Sequence, residues 1–275
     1  MTTHDRPARI AAEYAALPEV LAVALGGSRA AGNRDEHSDL DLYVYSREEV
    51  PLAARRAIAG RRGTHAEVDN RWWEPGDEWL EREGGLHVDV MFRRAADFER
   101  HLTALLERHE ARLGYTTALW HNLLTSEVLF DREGWLADLK RRADQPYPDG
   151  LARAVIVLNF PLLRGAFGAY PNQIALAVRR GDLVAVNHRL TEFLASSFDV
   201  LFALNRTPHP GEKRLLTLAA RLPLVPEDLT GQVERLLAFT PATLGEVPGQ
   251  VERMVDGLVR LLEERGELPA ARGAE

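Results

Sequence analysis

Leu25 to Tyr45 reads LGGSRAAGNRDEHSDLDLYVY, and its second half poses a physical problem. In Asp39-Leu40-Asp41-Leu42, the alternation of an extended chain puts both carboxylates on one face and both leucines on the other. Two like charges ~6–7 Å apart then share a face of a strand whose opposite face is apolar. Burying an unpaired carboxylate is costly, and a divalent cation between the two removes that cost. The chain has no cysteine and no cluster of histidines, so the ligands would be oxygens. Such a set suits Mg2+ or Mn2+, which bind through one or two carboxylates together with substrate phosphates.

The residues on either side extend this reading. An apolar segment over 19–26 has the pattern of a strand and ends in Gly26-Gly27-Ser28, where Ser28 is a good helix N-cap. Glycines let a backbone approach a ligand closely, and free amides at a helix start favour an anion such as phosphate. The segment is not a Walker A loop, lacking Gly-Lys-Ser/Thr, and its glycine spacing is not that of a dinucleotide fingerprint. Downstream, His87-Val88-Asp89-Val90-Met91 alternates in the same way, so Asp89 faces away from Val88 and Val90. If this strand lies beside the first, Asp89 converges on the same ions, and three such acids can hold two ions ~3.5–4 Å apart for in-line attack on phosphorus.

Gly27-Ser28, ten residues, then Asp39-Leu40-Asp41 flanked by Ser38 and Leu42, and later Asp89 in an apolar strand together resemble the signature of the DNA polymerase β-like nucleotidyltransferase superfamily. The resemblance covers roughly residues 20–93. It implies that Gly27 and Ser28 bind the triphosphate of a nucleotide, that Asp39, Asp41 and Asp89 ligate Mg2+, and that Asp89 is a metal ligand or the base for the attacking hydroxyl. It further implies transfer of a nucleoside monophosphate, with ATP as the expected donor, to a hydroxyl, releasing pyrophosphate. A compact α/β domain followed by a helical one also resembles the bacterial antibiotic nucleotidyltransferases that act on aminoglycosides and lincosamides. That likeness is one of architecture and says less about substrate.

The rest of the chain bounds these expectations. At 275 residues, 45% hydrophobic and 27% charged, it can bury a sizeable core in one large or two ordinary domains. The formal charge of −7 argues against an extended nucleic-acid footprint, which needs clustered Lys and Arg; Lys140 and Lys213 are the only lysines. No apolar run reaches the ~18–20 residues of a membrane span, and the N-terminus lacks the pattern of a secretory signal, so the expected address is cytoplasmic. The expected fold is α+β: a nucleotidyltransferase domain over 1–145, built on a small mixed β-sheet with flanking helices, then an α-helical bundle over 146–275. Strands are expected near 19–26, 39–45, 65–73 and 86–93 and at Val128–Asp131, with helices near 6–16, 47–60 and 95–110. The boundary is the Pro/Gly/Asp-rich segment 143–150.

Further site residues follow from composition. Pro210 and Gly211 precede a helix expected near Glu212, which would place Lys213 in its first turn, where a cation is disfavoured unless an anion is near. Lys213 is therefore expected to reach the nucleotide phosphates across a domain cleft, with His209 and Glu192 as candidate acceptor contacts. Residues 72–79, WWEPGDEW, join aromatic rings to carboxylates, and Trp73, Glu74 and Asp77 are expected to line a pocket for an aminoglycoside-like acceptor. The competing readings are nucleotidyl transfer to a protein or RNA, and a nucleotide-binding regulator without turnover. A nuclease motif of the Arg-x4–6-His type is absent after residue 145.

Overall fold

The computed structural model describes residues 6–27, 39–72 and 74–270. The chain forms two compact units, one of Met1–Thr103 and Asn122–Gln145, the other of Ala104–His121 and Pro146–Glu275. Its first part runs α1 (Arg6–Ala15), β1 (Val20–Leu25), β2 (Leu40–Ser46), α2 (Leu52–Arg62), β3 (Gly63–Asn70), β4 (Gly76–Glu81) and β5 (His87–Arg94). Then follow α3 (Ala95–Leu106), α4 (Ala118–Thr125), β6 (Glu127–Asp131) and α5 (Trp135–Ala143). Among the described residues the strands form one mixed sheet in the order β3-β4-β5-β2-β1-β6. Strands β2 and β5 run parallel and the other neighbours antiparallel.

One face of this sheet is the core of the first unit. Leu40, Leu42 and Val44 of β2, Val88 and Val90 of β5 and Trp79 of β4 join Ile10 and Tyr14 of α1 and Ile58 of α2, all essentially buried. Each such side chain contributes about 1.5–3 kcal/mol by leaving water. A one-residue slip of β2 would exchange those leucines for Asp39 and Asp41, so burial pins the register. The opposite face carries Asp41, Tyr43 and Tyr45 from β2 and Asp89, Met91 and Arg93 from β5. Its far end is closed: Tyr45 packs at 5.2 Å from Phe98 of α3 and 5.4 Å from Trp135 of α5, measured between ring centroids. The end carrying Asp41 and Asp89 is only partly covered.

Two elements differ from the sequence reading. The helix expected near 47–60 starts at Leu52, because Pro51 disfavours helical geometry in the residue before it. Strand β4 occupies a stretch read as a connection. Its Asp77 points into the core at 0% exposure, which the alternation of apolar residues could not announce. The charge is met by Arg55 of α2, which donates from Nε at 3.0 and 3.2 Å and from Nη2 at 2.6 Å, and the amide of Asp69 donates at 2.9 Å.

The second unit contains α6 (Asp149–Leu163), α7 (Tyr170–Arg179), α8 (Leu183–Leu204), α9 (Leu215–Ala219), α10 (Leu229–Leu237) and α11 (Val247–Glu264). Helix α8 packs against α6, α7, α9 and α11, and from Ser196 to Leu204 it is buried on every side, as expected of a central helix. Residues 104–121, expected in the first domain, belong here. Their polar groups complete a buried network: the Gly114 amide donates to Asn159 Oδ1 at 3.1 Å, and Thr116 donates to Asp199 from its amide at 3.1 Å and its hydroxyl at 2.6 Å. Burial pushes the Asp199 carboxyl up to about 6, against the opposing pull of hydrogen bonds from Thr116 and Asn159. No helix of the described residues is long and apolar enough to cross a membrane.

Candidate active site

The parallel pairing of β2 with β5 places Leu40 beside Val88, Asp41 beside Asp89 and Leu42 beside Val90. Residues that oppose each other across a pair share a face, so Asp41 and Asp89 are adjacent carboxylates about 5 Å apart at the backbone. Asp39 lies immediately before β2 and is half-exposed, with its Oδ1 3.7 Å from His87 Nδ1. The other ring nitrogen of His87 lies 3.5 Å from Glu78 Oε2. Glu78 is the antiparallel partner of Asp89, so the row of carboxylates runs on across β4.

On the other side of Asp41 is the end of β1. The Gly26 amide donates to the Asp41 carbonyl at 2.8 Å. Gly27 has φ +67°, and a Cβ built there would stand 1.9 Å from Asp41 Oδ2. A Cβ on Gly26 would stand 2.3 Å from the Tyr43 ring. Both glycines are therefore required by close approach to β2, and Gly27 also by its left-handed backbone. Ser28, the residue expected to complete the phosphate loop, lies outside the described residues.

Two neighbouring carboxylates with a third two residues back along the strand suit a hard divalent ion that completes its shell with phosphate and water. Among the described residues no group of three or more His, Cys, Asp or Glu side chains forms a metal cage by itself. Magnesium does not require one.

The expected acceptor residues are dispersed. Asp77 is spent in the buried pair with Arg55. Both Glu74 oxygens are taken by Arg93, at 2.8 Å from Nε and 2.9 Å from Nη2, beneath a guanidinium stacked 4.1 Å from the Tyr43 ring. Trp73 lies outside the described residues. Trp79 is core, and Trp72 is exposed with its indole N–H on Glu67. Of that stretch it is Glu78, not singled out from the sequence, that shares the carboxylate face; a period-2 pattern over Gly76–Glu81 with Asp77 inward is the signal that finds it.

In the second unit His209 is wholly buried. Its amide donates to the Thr117 hydroxyl at 2.7 Å, its Nδ1 accepts from the Gly211 amide at 3.1 Å, and its ring packs on Tyr115 and Phe202. Burial, with a smaller contribution from nearby His121, lowers its pKa to about 4, so it is a neutral packing residue and is unavailable to an acceptor. Lys213 is exposed, but the helix starts at Leu215, after Arg214 in a left-handed conformation. The dipole cost inferred for Lys213 therefore does not arise. Glu192 is exposed on α8.

Residues 9–111 match the family model of the nucleotidyltransferase domain. That match supports a likeness of this segment to the polymerase β-like nucleotidyltransferase superfamily. The nucleotidyltransferase domain is followed by a match over residues 116–215 to a domain of unknown function (DUF4037). Among solved structures, a nucleotidyltransferase-like protein from Exiguobacterium sibiricum 255-15 is 16% identical, with 95% of this chain and 75% of that chain covered and a TM-score of 0.45. No curated protein matches. The nucleotidyltransferase family supports nucleotidyl transfer from a nucleoside triphosphate, and its domains generally use divalent metals.

Proposed function

We propose that the chain transfers a nucleoside monophosphate, AMP from ATP, to a hydroxyl of a small-molecule acceptor and releases pyrophosphate. The observation that carries this reading is the in-register pair Asp41–Asp89 set against the Gly26–Gly27 backbone. Asp39, Asp41 and Asp89 are the proposed ligands of Mg2+ or Mn2+, which when bound neutralises phosphate charge and makes the attacking hydroxyl more acidic. The chain's own groups do the rest. Gly26 and Gly27 let the end of β1 close directly on Tyr43 and the Asp41 carboxylate, and the apolar core behind β2 and β5 holds the two carboxylates in register. The net charge of −7 supports a small, amine-bearing acceptor such as an aminoglycoside over nucleic acid.

The test incubates the protein with Mg2+, each nucleoside triphosphate and a panel of aminoglycosides, lincosamides, tRNA and bacterial lysate, following pyrophosphate release and mass gain. The doubly substituted Asp39→Ala, Asp41→Ala protein should release none; normal release from it would overturn the site assignment. Modification of only a protein or RNA would replace the small-molecule reading.

A further inference from the structure

Across the sheet the functional face reads in one direction: the Gly26–Gly27 turn at the end of β1, Asp41 on β2, Asp89 on β5 and Glu78 on β4. In-line displacement puts the attacking and leaving oxygens on opposite sides of phosphorus. With the triphosphate against the glycines, the leaving pyrophosphate points toward β1, and the acceptor hydroxyl must arrive from the side of β4. Glu78 stands there, about 10 Å from Asp41 at the backbone, two strand spacings away.

Its surroundings differ from those of the neighbouring acids. Asp77 is paired with Arg55, Glu74 with Arg93, and Asp69 lies 3.3 Å from Arg71. Glu78 has no guanidinium among the described residues. One of its oxygens accepts from Asn70 Nδ2 at 3.0 Å and the other lies 3.5 Å from His87 Nε2. Asn70 is itself buried, so this amide is a fixed support. The side chain is about a third exposed, at 36%, which leaves the carboxylate reachable from solvent. A carboxylate oriented by an amide and an imidazole keeps lone pairs that a bidentate arginine would occupy.

We propose that Glu78 is a catalytic residue that accepts the hydrogen bond of the acceptor hydroxyl and takes its proton during transfer; this rests on the nucleotidyl-transfer reading above. The acceptor oxygen forms a bond to the α-phosphorus, the bond from that phosphorus to the α,β-bridging oxygen breaks, and pyrophosphate leaves with the electron pair. The proton passes to Glu78 and from there to water. Asp89, which sequence alone leaves between base and metal ligand, is then a ligand.

The experiment compares wild type with Glu78→Gln and Glu78→Ala. Pyrophosphate release is followed on the panel above with water as background acceptor, and calorimetry measures binding of Mg2+ with α,β-methylene-ATP. The Gln variant should bind that nucleotide within about twofold of wild type while kcat falls about 10²–10⁴-fold, the usual range for a lost general base. Added formate should restore part of the rate to the Ala variant. A kcat within threefold of wild type in Glu78→Gln, nucleotide affinity lost in parallel with rate, or no formate rescue would each overturn the role of Glu78 and leave the transfer reading standing. No release by wild type on any acceptor or on water would remove the transfer reading and Glu78's role with it.

Discussion

Gly27→Ala tests whether the position of the Asp41 carboxylate matters. The new Cβ would lie 1.9 Å from Asp41 Oδ2 where real Cβ contacts stay at or above 3.0 Å, so the carboxylate must retreat by about 1 Å. The backbone adds a second cost, because φ +67° is left-handed and an L side chain there loses about 1–2 kcal/mol. In a unit of this size that lowers the melting temperature by roughly 5 °C. The displacement should act more strongly on chemistry than on stability, since moving a catalytic group by 1 Å typically costs about 100-fold. Pyrophosphate release should therefore fall about 100-fold in kcat/KM. In an Asp41→Ala background the clash is gone, and Gly27→Ala should cost only the backbone strain. Activity within threefold of wild type would refute the claim that Gly27 and Asp41 are locked together for function.

Two further outcomes follow from buried charge. Arg55→Ala strands Asp77 in the core and should destabilise the first unit by about 3–5 kcal/mol in urea melts, with Arg55→Leu, Asp77→Leu recovering most of it; a loss below about 1 kcal/mol in the single variant would contradict the pairing. The second unit holds two groups whose protonation opposes across one pH window. Asp199 has its folded pKa raised to about 6 from 3.8, so the folded state binds the extra proton between those values and stability falls as pH rises through them. His209 has its folded pKa lowered to about 4 from 6.5, so the unfolded state binds the extra proton and stability rises over about pH 4–6.5. The two slopes oppose each other in wild type. Asp199→Asn should leave the histidine slope alone, with stability rising on the order of 2–3 kcal/mol from pH 4 to 6.5; a flat profile in that variant would refute it.

How much could be read in advance varies with how local the cause is. The strands bearing Asp41 and Asp89 were legible because Leu40, Leu42, Val88 and Val90 supply an apolar face at period two. Strand β4 was not, because its inward residue is Asp77 and the partner that makes this tolerable, Arg55, is 22 residues away. The same blindness scattered the expected acceptor pocket: Glu74 and Asp77 read as carboxylates lining a pocket and are each bound by a distant arginine. His209 reads as a polar loop residue, yet Tyr115 and Phe202 close around it. Residues 104–121 look continuous with what precedes them until Asn159 and Asp199 supply their hydrogen-bond partners.

What the sequence by itself determined is the spacing of carboxylates along one strand and the side on which each must lie, because extended backbone alternates whatever surrounds it. Only the tertiary structure decided that β5 lies parallel to β2, that Asp89 thereby falls beside Asp41, and that Glu78 continues their row. Strand neighbours are chosen by burial of apolar faces contributed from distant parts of the chain, and no local pattern contains that choice.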